Sequence, residues 1–243
     1  MIEKQINYKK IFLVLTLVSI AFVTYAQCKT TVYLIPGQGS DYRIFNKIHF
    51  KDNYKVKHVK YFTPKENCSM KSYAKQLSKQ IDTSETFIII GVSLGGMIAT
   101  EMTEFLTPEK TIIISSAKCK YELPHRYRFQ NIIPIYKIVP GKLSKKSSFI
   151  VQPLFEPDRN LEKEIFIDML KKKDPLFLER TISMIMSWSR TSFSEEIVHI
   201  HGDNDHTIPI KNIKYNYLIK DGSHMMTLTK GEEISNLINK ILQ

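Results

Sequence analysis

The chain has 243 residues, 43% hydrophobic and 24% charged, with 35 Lys and Arg against 24 Asp and Glu and a net charge of +11. That composition excludes a disordered or collagen-like chain and suits one globular domain with a full core. The basic excess comes with no nucleic-acid motif, and three cysteines, Cys28, Cys68 and Cys119, make no disulfide framework, although one pair can oxidise after export.

The chain opens on a targeting segment. Lys4, Lys9 and Lys10 precede an almost wholly apolar run from Ile11 to Val23, and Thr24-Tyr25-Ala26 sets a small residue at a cleavage position. This predicts a signal peptide over 1–26, a single mature domain over 27–243, and export to the periplasm or beyond. The apolar run falls short of the ~20 residues of a membrane span, and an uncleaved inner-membrane anchor is the alternative. Lipidation at Cys28 is disfavoured, because Gln27 stands where a small residue is expected.

Thr31 to Ile35 reads as a first core strand. It runs into Pro36-Gly37-Gln38-Gly39-Ser40-Asp41, with Asp41 as N-cap for a helix over Tyr42 to Ile48. Lys55 to Phe62 alternates in polarity and suits a strand near a sheet edge, broken by Pro64. Met70, Tyr73, Ala74, Leu77 and Ile81 form a helical stripe within Ser69 to Ile81. Phe87-Ile88-Ile89-Ile90 then leads into Gly91-Val92-Ser93-Leu94-Gly95 and a further helix-like segment to about Leu106. A serine on so sharp a strand-to-helix turn is pushed out of the sheet. A side chain two residues to either side of it would strike neighbouring backbone, hence Gly91 and Gly95. The following helix aims free N–H groups and its positive dipole end at the serine. Thr111 to Ser115 is the next buried strand, and the alternation of strands and helices predicts a doubly wound, mostly parallel α/β sheet of about six strands.

From about 118 to 190 the alternation stops. This stretch is read as a helical cap insertion, with amphipathic helices over Glu162 to Lys172 and Pro175 to Ser189. Much of the basic excess lies here. It is read as a solvated surface, with weak contact to an anionic membrane surface as the alternative. Met184, Trp188 and Met225 are candidate pocket residues; the other reading of Met184 and Trp188 is that they pack the cap onto the core. Glu196 to Gly202 returns to strand, followed by Asp203-Asn204-Asp205-His206. His199-x-His201-x-Asp203 resembles the start of a metallo-hydrolase ligand run, but Asn204 stands where the next histidine belongs and only His224 is available downstream, so no metal is predicted. His201 then reads as a core histidine. A short strand over Tyr215 to Ile219, the loop Lys220-Asp221-Gly222-Ser223-His224 and a helix over Glu232 to Leu242 complete the chain.

Taken together, Pro36-Gly37-Gln38-Gly39, Gly91-Val92-Ser93-Leu94-Gly95-Gly96, His201-Gly202-Asp203-Asn204-Asp205 with Pro209, and Gly222-Ser223-His224 resemble the α/β hydrolase superfamily, and small bacterial esterase-like members in particular. The resemblance covers nearly the whole mature chain. It implies a serine esterase with a Ser93–His224–Asp205 triad in the chain order Ser, Asp, His, an oxyanion hole from the N–H groups of Gln38 and Leu94, a small-molecule acyl substrate and no cofactor. Three features depart from the family. The sheet starts at the strand that is third in the full fold, Pro36 precedes the first loop glycine where a histidine is usual, and there is no Gly-Gly-Gly oxyanion loop, so the resemblance to lipases and esterases bearing that loop is weak. The alternative function is a ligand-binding protein on the hydrolase shell with slow or no turnover.

Overall fold

The computed structural model describes residues 29–125, 127, 156–158 and 160–243. The predicted leader and Cys28 lie outside the described residues, as does 128–155 of the predicted insertion. Six strands form one parallel sheet: β1 (Thr30–Ile35), β2 (Tyr54–His58), β3 (Phe87–Val92), β4 (Lys110–Ile114), β5 (Val198–Gly202) and β6 (Tyr217–Ile219), in the order β2-β1-β3-β4-β5-β6. The central strands β1, β3 and β4 read as unbroken apolar runs because both of their faces are covered.

Side chains alternate between those faces. Tyr33, Ile35, Phe87, Ile89 and Ile113 pack against α1 (Met70–Leu77) and α2 (Leu94–Met102). Val32, Leu34, Ile88, Ile90, Ile112 and Ile114 pack on the other side, against Ile44 and Phe45 and the C-terminal helical region. The register keeps like faces together, with Val32 opposite Ile88 and Ile90 opposite Ile112. Between β4 and β5 the chain carries α3 (Lys163–Lys171) and α4 (Pro175–Met186), and it ends in α5 (Met226–Thr229) and α6 (Gly231–Ile241). Ion pairs from Arg43 to Asp168 and from Lys47 to Glu162 tie α3 to the segment after β1.

Several predicted elements are shorter than expected: the helix after Ser93 closes at Met102, the second insertion helix at Met186, and the last strand begins at Tyr217. Asp41 does cap its segment, accepting from the Arg43 N–H, but the result is a single 3-10 turn over Tyr42–Phe45 that buries Ile44 and Phe45. The strand predicted to reach Phe62 stops at His58, and the Tyr61 hydroxyl turns to donate to the Pro36 carbonyl. The helix predicted to reach Ile81 closes at Leu77 and tightens into a 3-10 turn over Ser78–Gln80. Cys68 and Cys119 are free thiols. No helix among the described residues is long and apolar enough to cross a membrane.

Candidate active site

Parallel strands deliver their following loops to one edge of the sheet, and the crevice at that edge is where such sheets bind ligands. The loops after β1, β3, β5 and β6 carry Gln38, Ser93, Asp205 and His224. Ser93 has φ 54° and ψ −119°, a conformation that costs a non-glycine residue energy and persists only where its surroundings hold it. Its N–H donates to the Ile114 carbonyl at 3.0 Å. Its carbonyl accepts from Ser116 Oγ at 2.7 Å and from the N–H groups of Gly96 and Met97. A Cβ on Gly91 would lie 2.3 Å from the Gly95 carbonyl oxygen, and one on Gly95 would lie 2.1 Å from the Ile35 carbonyl oxygen.

His224 bridges Ser93 and Asp205. Its Nδ1 lies 2.8 Å from Asp205 Oδ2 and its Nε2 lies 2.9 Å from Ser93 Oγ. A carboxylate only accepts, so Nδ1 carries the proton and the Nε2 lone pair faces the serine hydroxyl. Asp205 is 2% exposed and is fixed by a second bond, from the Ile208 N–H to Oδ1 at 2.7 Å. His201 braces the same turn from below, with Nε2 2.9 Å from the Ile208 carbonyl. That bond needs a proton on Nε2. Nδ1 of neutral His201 then accepts from His199 Nε2 at 3.1 Å. Burial pushes the pKa of both rings below the usual histidine value, most strongly for His199. These two histidines therefore bond each other and the backbone, and no group of three potential metal ligands occurs among the described residues.

The loop after β1 packs on the serine. A Cβ on Gly37 would lie 3.4 Å from Ser93 Cβ. The Tyr61 hydroxyl holds the Pro36 carbonyl at 2.6 Å, and burial raises the Tyr61 pKa so that it stays a donor. The Gln38 side chain donates to Thr181 Oγ1 at 2.8 Å and to the Leu178 carbonyl at 3.1 Å, both on α4. The main-chain N–H groups of Gln38 and Leu94 make no hydrogen bond to the described residues. A cavity of about 290 Å³ opens over Ser93 and His224, and its apolar wall includes Phe166, Leu170, Leu178, Ile182, Ile185 and Met225.

A family model, that of an uncharacterised protein family (UPF0227), matches residues 47–124. Comparison with curated proteins finds no match. Solved structures do match. A thermophilic esterase from Thermogutta terrifontis is 14% identical over 88% of this chain and 89% of that one, with a TM-score of 0.63. MenH from S. aureus is 15% identical over 88% and 93%, with a TM-score of 0.65. An enol-lactonase from Burkholderia xenovorans LB400 is 12% identical over 88% and 91%, with a TM-score of 0.66. The chain has the α/β-hydrolase fold.

On this α/β-hydrolase sheet, Ser93, Asp205 and His224 meet at hydrogen-bond distance although 131 residues separate the serine from the histidine. Of the three candidate pocket residues, Met225 lines the cavity. Met184 and Trp188 follow the other reading and pack on the core. They sit on the core side of α4 and just beyond it, 1% and 4% exposed, and Trp188 Nε1 donates to buried Glu101 at 2.7 Å. The residues that line the cavity from α4, Leu178, Ile182, Ile185 and Met186, occupy another stripe of the same helix. Two contributors escaped the sequence reading. The sequence points to Gln38 through its N–H alone, and its side-chain anchor on Thr181 has no local signal. Glu156 is 2% exposed and reaches the loops of both Asp205 and His224. It lies within the insertion between β4 and β5, and no local signal in the sequence marks it.

Proposed function

We propose that this protein is a serine hydrolase that cleaves a carboxylic ester or related acyl bond through an acyl-enzyme. The observation that carries the reading is the unbroken chain Ser93 Oγ–His224 Nε2, His224 Nδ1–Asp205 Oδ2, each link under 3 Å. In this reading His224 takes the proton from Ser93 as the oxygen attacks the acyl carbonyl. Asp205 keeps the ring in the required tautomer and stabilises its cation. The oxyanion is met by the N–H groups of Leu94 and Gln38, the first of them at the N-terminus of α2. His224 then protonates the departing alcohol. A water molecule, deprotonated by the same ring, frees the acyl group and regenerates Ser93. The apolar wall of the cavity suits the acyl chain of such a substrate.

The test is labelling of the purified protein by a fluorophosphonate probe beside Ser93→Ala, with hydrolysis of aryl esters of graded chain length in parallel. Labelling and turnover that vanish in the variant support the proposal. A well-folded wild-type protein that neither labels nor turns over any ester defeats it and favours a ligand-binding role on the same shell.

A further inference from the structure

The loops that carry Asp205 and His224 leave neighbouring strands, and their main chains are tied by a bond from the Asn204 N–H to the Gly222 carbonyl at 3.0 Å. A further main-chain bond, from the Asp203 N–H to the Ile219 carbonyl at 3.4 Å, also lies close to the strand ends. Another tie lies further along both loops, and it comes from neither. Glu156 Oε2 accepts the main-chain N–H of His224 at 2.9 Å. Its Oε1 accepts the N–H of Thr207 at 3.1 Å and the Thr207 hydroxyl at 2.5 Å. Asp158 extends the strap, with Oδ2 accepting from Ser223 Oγ at 2.6 Å and from Thr229 Oγ1 at 2.7 Å. Ser223 Oγ in turn accepts the Met225 N–H at 2.9 Å. The residues on both sides of His224 are thus held from the segment 156–158.

We propose that Glu156 is a positioning residue, whose carboxylate clamps the loop of Asp205 to the loop of His224 and so keeps the imidazole in line between Asp205 and Ser93. The inference rests on the serine-hydrolase reading above. The chemistry of the contact explains the residue type. Three donors, two main-chain N–H groups and one hydroxyl, converge on one buried side chain. Only a group that accepts with both oxygens satisfies all three. A glutamine with its oxygen toward Thr207 turns its NH2 toward the His224 N–H, donor against donor. A glutamine flipped the other way sets the same clash at Thr207. Glu156 is bonded to the main chain of His224 while Asp205 is bonded to the ring, so the two carboxylates divide the work. One holds the residue and the other holds the tautomer.

The test compares full-length wild type with Glu156→Gln, Glu156→Asp and Asp158→Asn. Each is assayed for kcat and KM on an aryl ester, for the rate of fluorophosphonate labelling, and for the downfield proton resonance of the His224 Nδ1–H bonded to Asp205. A ring displaced by an ångström costs about a hundredfold in rate. Glu156→Gln is therefore expected to lose about that factor in kcat and in labelling rate, with KM changed less than about threefold, and to weaken or lose the downfield resonance. Glu156→Asp keeps both acceptors but is one methylene shorter; it recovers part of the loss. Asp158→Asn, one step further from the ring, has the smaller effect. A folded Glu156→Gln with wild-type kcat and an intact resonance overturns the inference, as does a loss confined to KM. If Glu156→Gln does not fold, Glu156→Asp carries the test, and wild-type kcat in that variant overturns it equally. A wild-type protein that does not label at all brings down the hydrolase reading and the clamp with it, whereas a labelled wild type with unaffected variants brings down the clamp alone.

Discussion

Replacing Asp205 by Asn tests the orientation of the whole triad with the smallest change in shape. The Ile208 N–H lies 2.7 Å from Oδ1 and requires an oxygen there. An amide turned the other way would set its NH2 against that N–H and leave a buried donor unpaired, at a cost of about 1–3 kcal/mol. The amide oxygen therefore stays on Ile208, and the NH2 takes the place of Oδ2, 2.8 Å from His224 Nδ1. Facing a donor, Nδ1 gives up its proton, and the imidazole carries it on Nε2, pointing at Ser93 Oγ. In that tautomer the ring cannot accept the serine proton. The expected loss is about 10⁴ in turnover, equivalent to about 5 kcal/mol of transition-state stabilisation. The assay is the second-order rate of fluorophosphonate labelling together with kcat on an aryl ester, with far-UV circular dichroism as the control for folding. A folded Asp205→Asn protein within tenfold of wild type would refute the reasoning and remove Asp205 from the orienting role.

Other consequences concern stability. Gly91→Ala sets a methyl group 2.3 Å from the Gly95 carbonyl oxygen and 2.6 Å from the Gly96 nitrogen, both backbone atoms of the helix that follows Ser93. It is expected to lower unfolding free energy by about 3 kcal/mol or more in urea titration; a variant as stable as wild type contradicts the close approach. Trp188→Phe keeps an aromatic ring in the core but strips buried Glu101 of a 2.7 Å donor. The expected cost is about 1–3 kcal/mol. KM should not change, because Trp188 is not on the cavity wall. The buried pair His199 and His201 gives a pH dependence of stability. Burial holds both folded-state values below the ordinary one, so between those values and about 6.5 the unfolded chain binds more protons than the folded one. Stability is full above about pH 6.5 and falls as pH drops below it, by at most about 1.4 kcal/mol per pH unit for each ring. Urea midpoints at a series of pH values, compared with His199→Gln, read out that slope; an unchanged slope in the variant rules His199 out as its source.

The parts of this protein that follow from short-range rules were legible in the sequence. Doubly covered strands need unbroken apolar runs, so β1, β3 and β4 announced themselves. The turn at Ser93 cannot close over a Cβ at Gly91 or Gly95, so two glycines marked it. The loops after β5 and β6 had to emerge at the same edge as Ser93 because the sheet is parallel, and the resemblance to α/β hydrolases picked out Asp205 and His224 on those loops. What the sequence could not reveal are contacts that depend on how the insertion between β4 and β5 returns over that edge. Gln38 meets Thr181 across 143 residues, and Glu156 meets Thr207 and His224 across 51 and 68. Nothing near any of these residues encodes the partner. The same limit explains Met184 and Trp188. α4 lies between the cavity and the core, so apolar residues cover more than one of its faces, and a 3.6-residue period cannot say which stripe meets which. Only the packed structure put Leu178 and Ile182 on the cavity wall, left Met184 and Trp188 to the core and set Ile185 against both, because that choice is made by the surfaces on either side of the helix rather than by the helix itself.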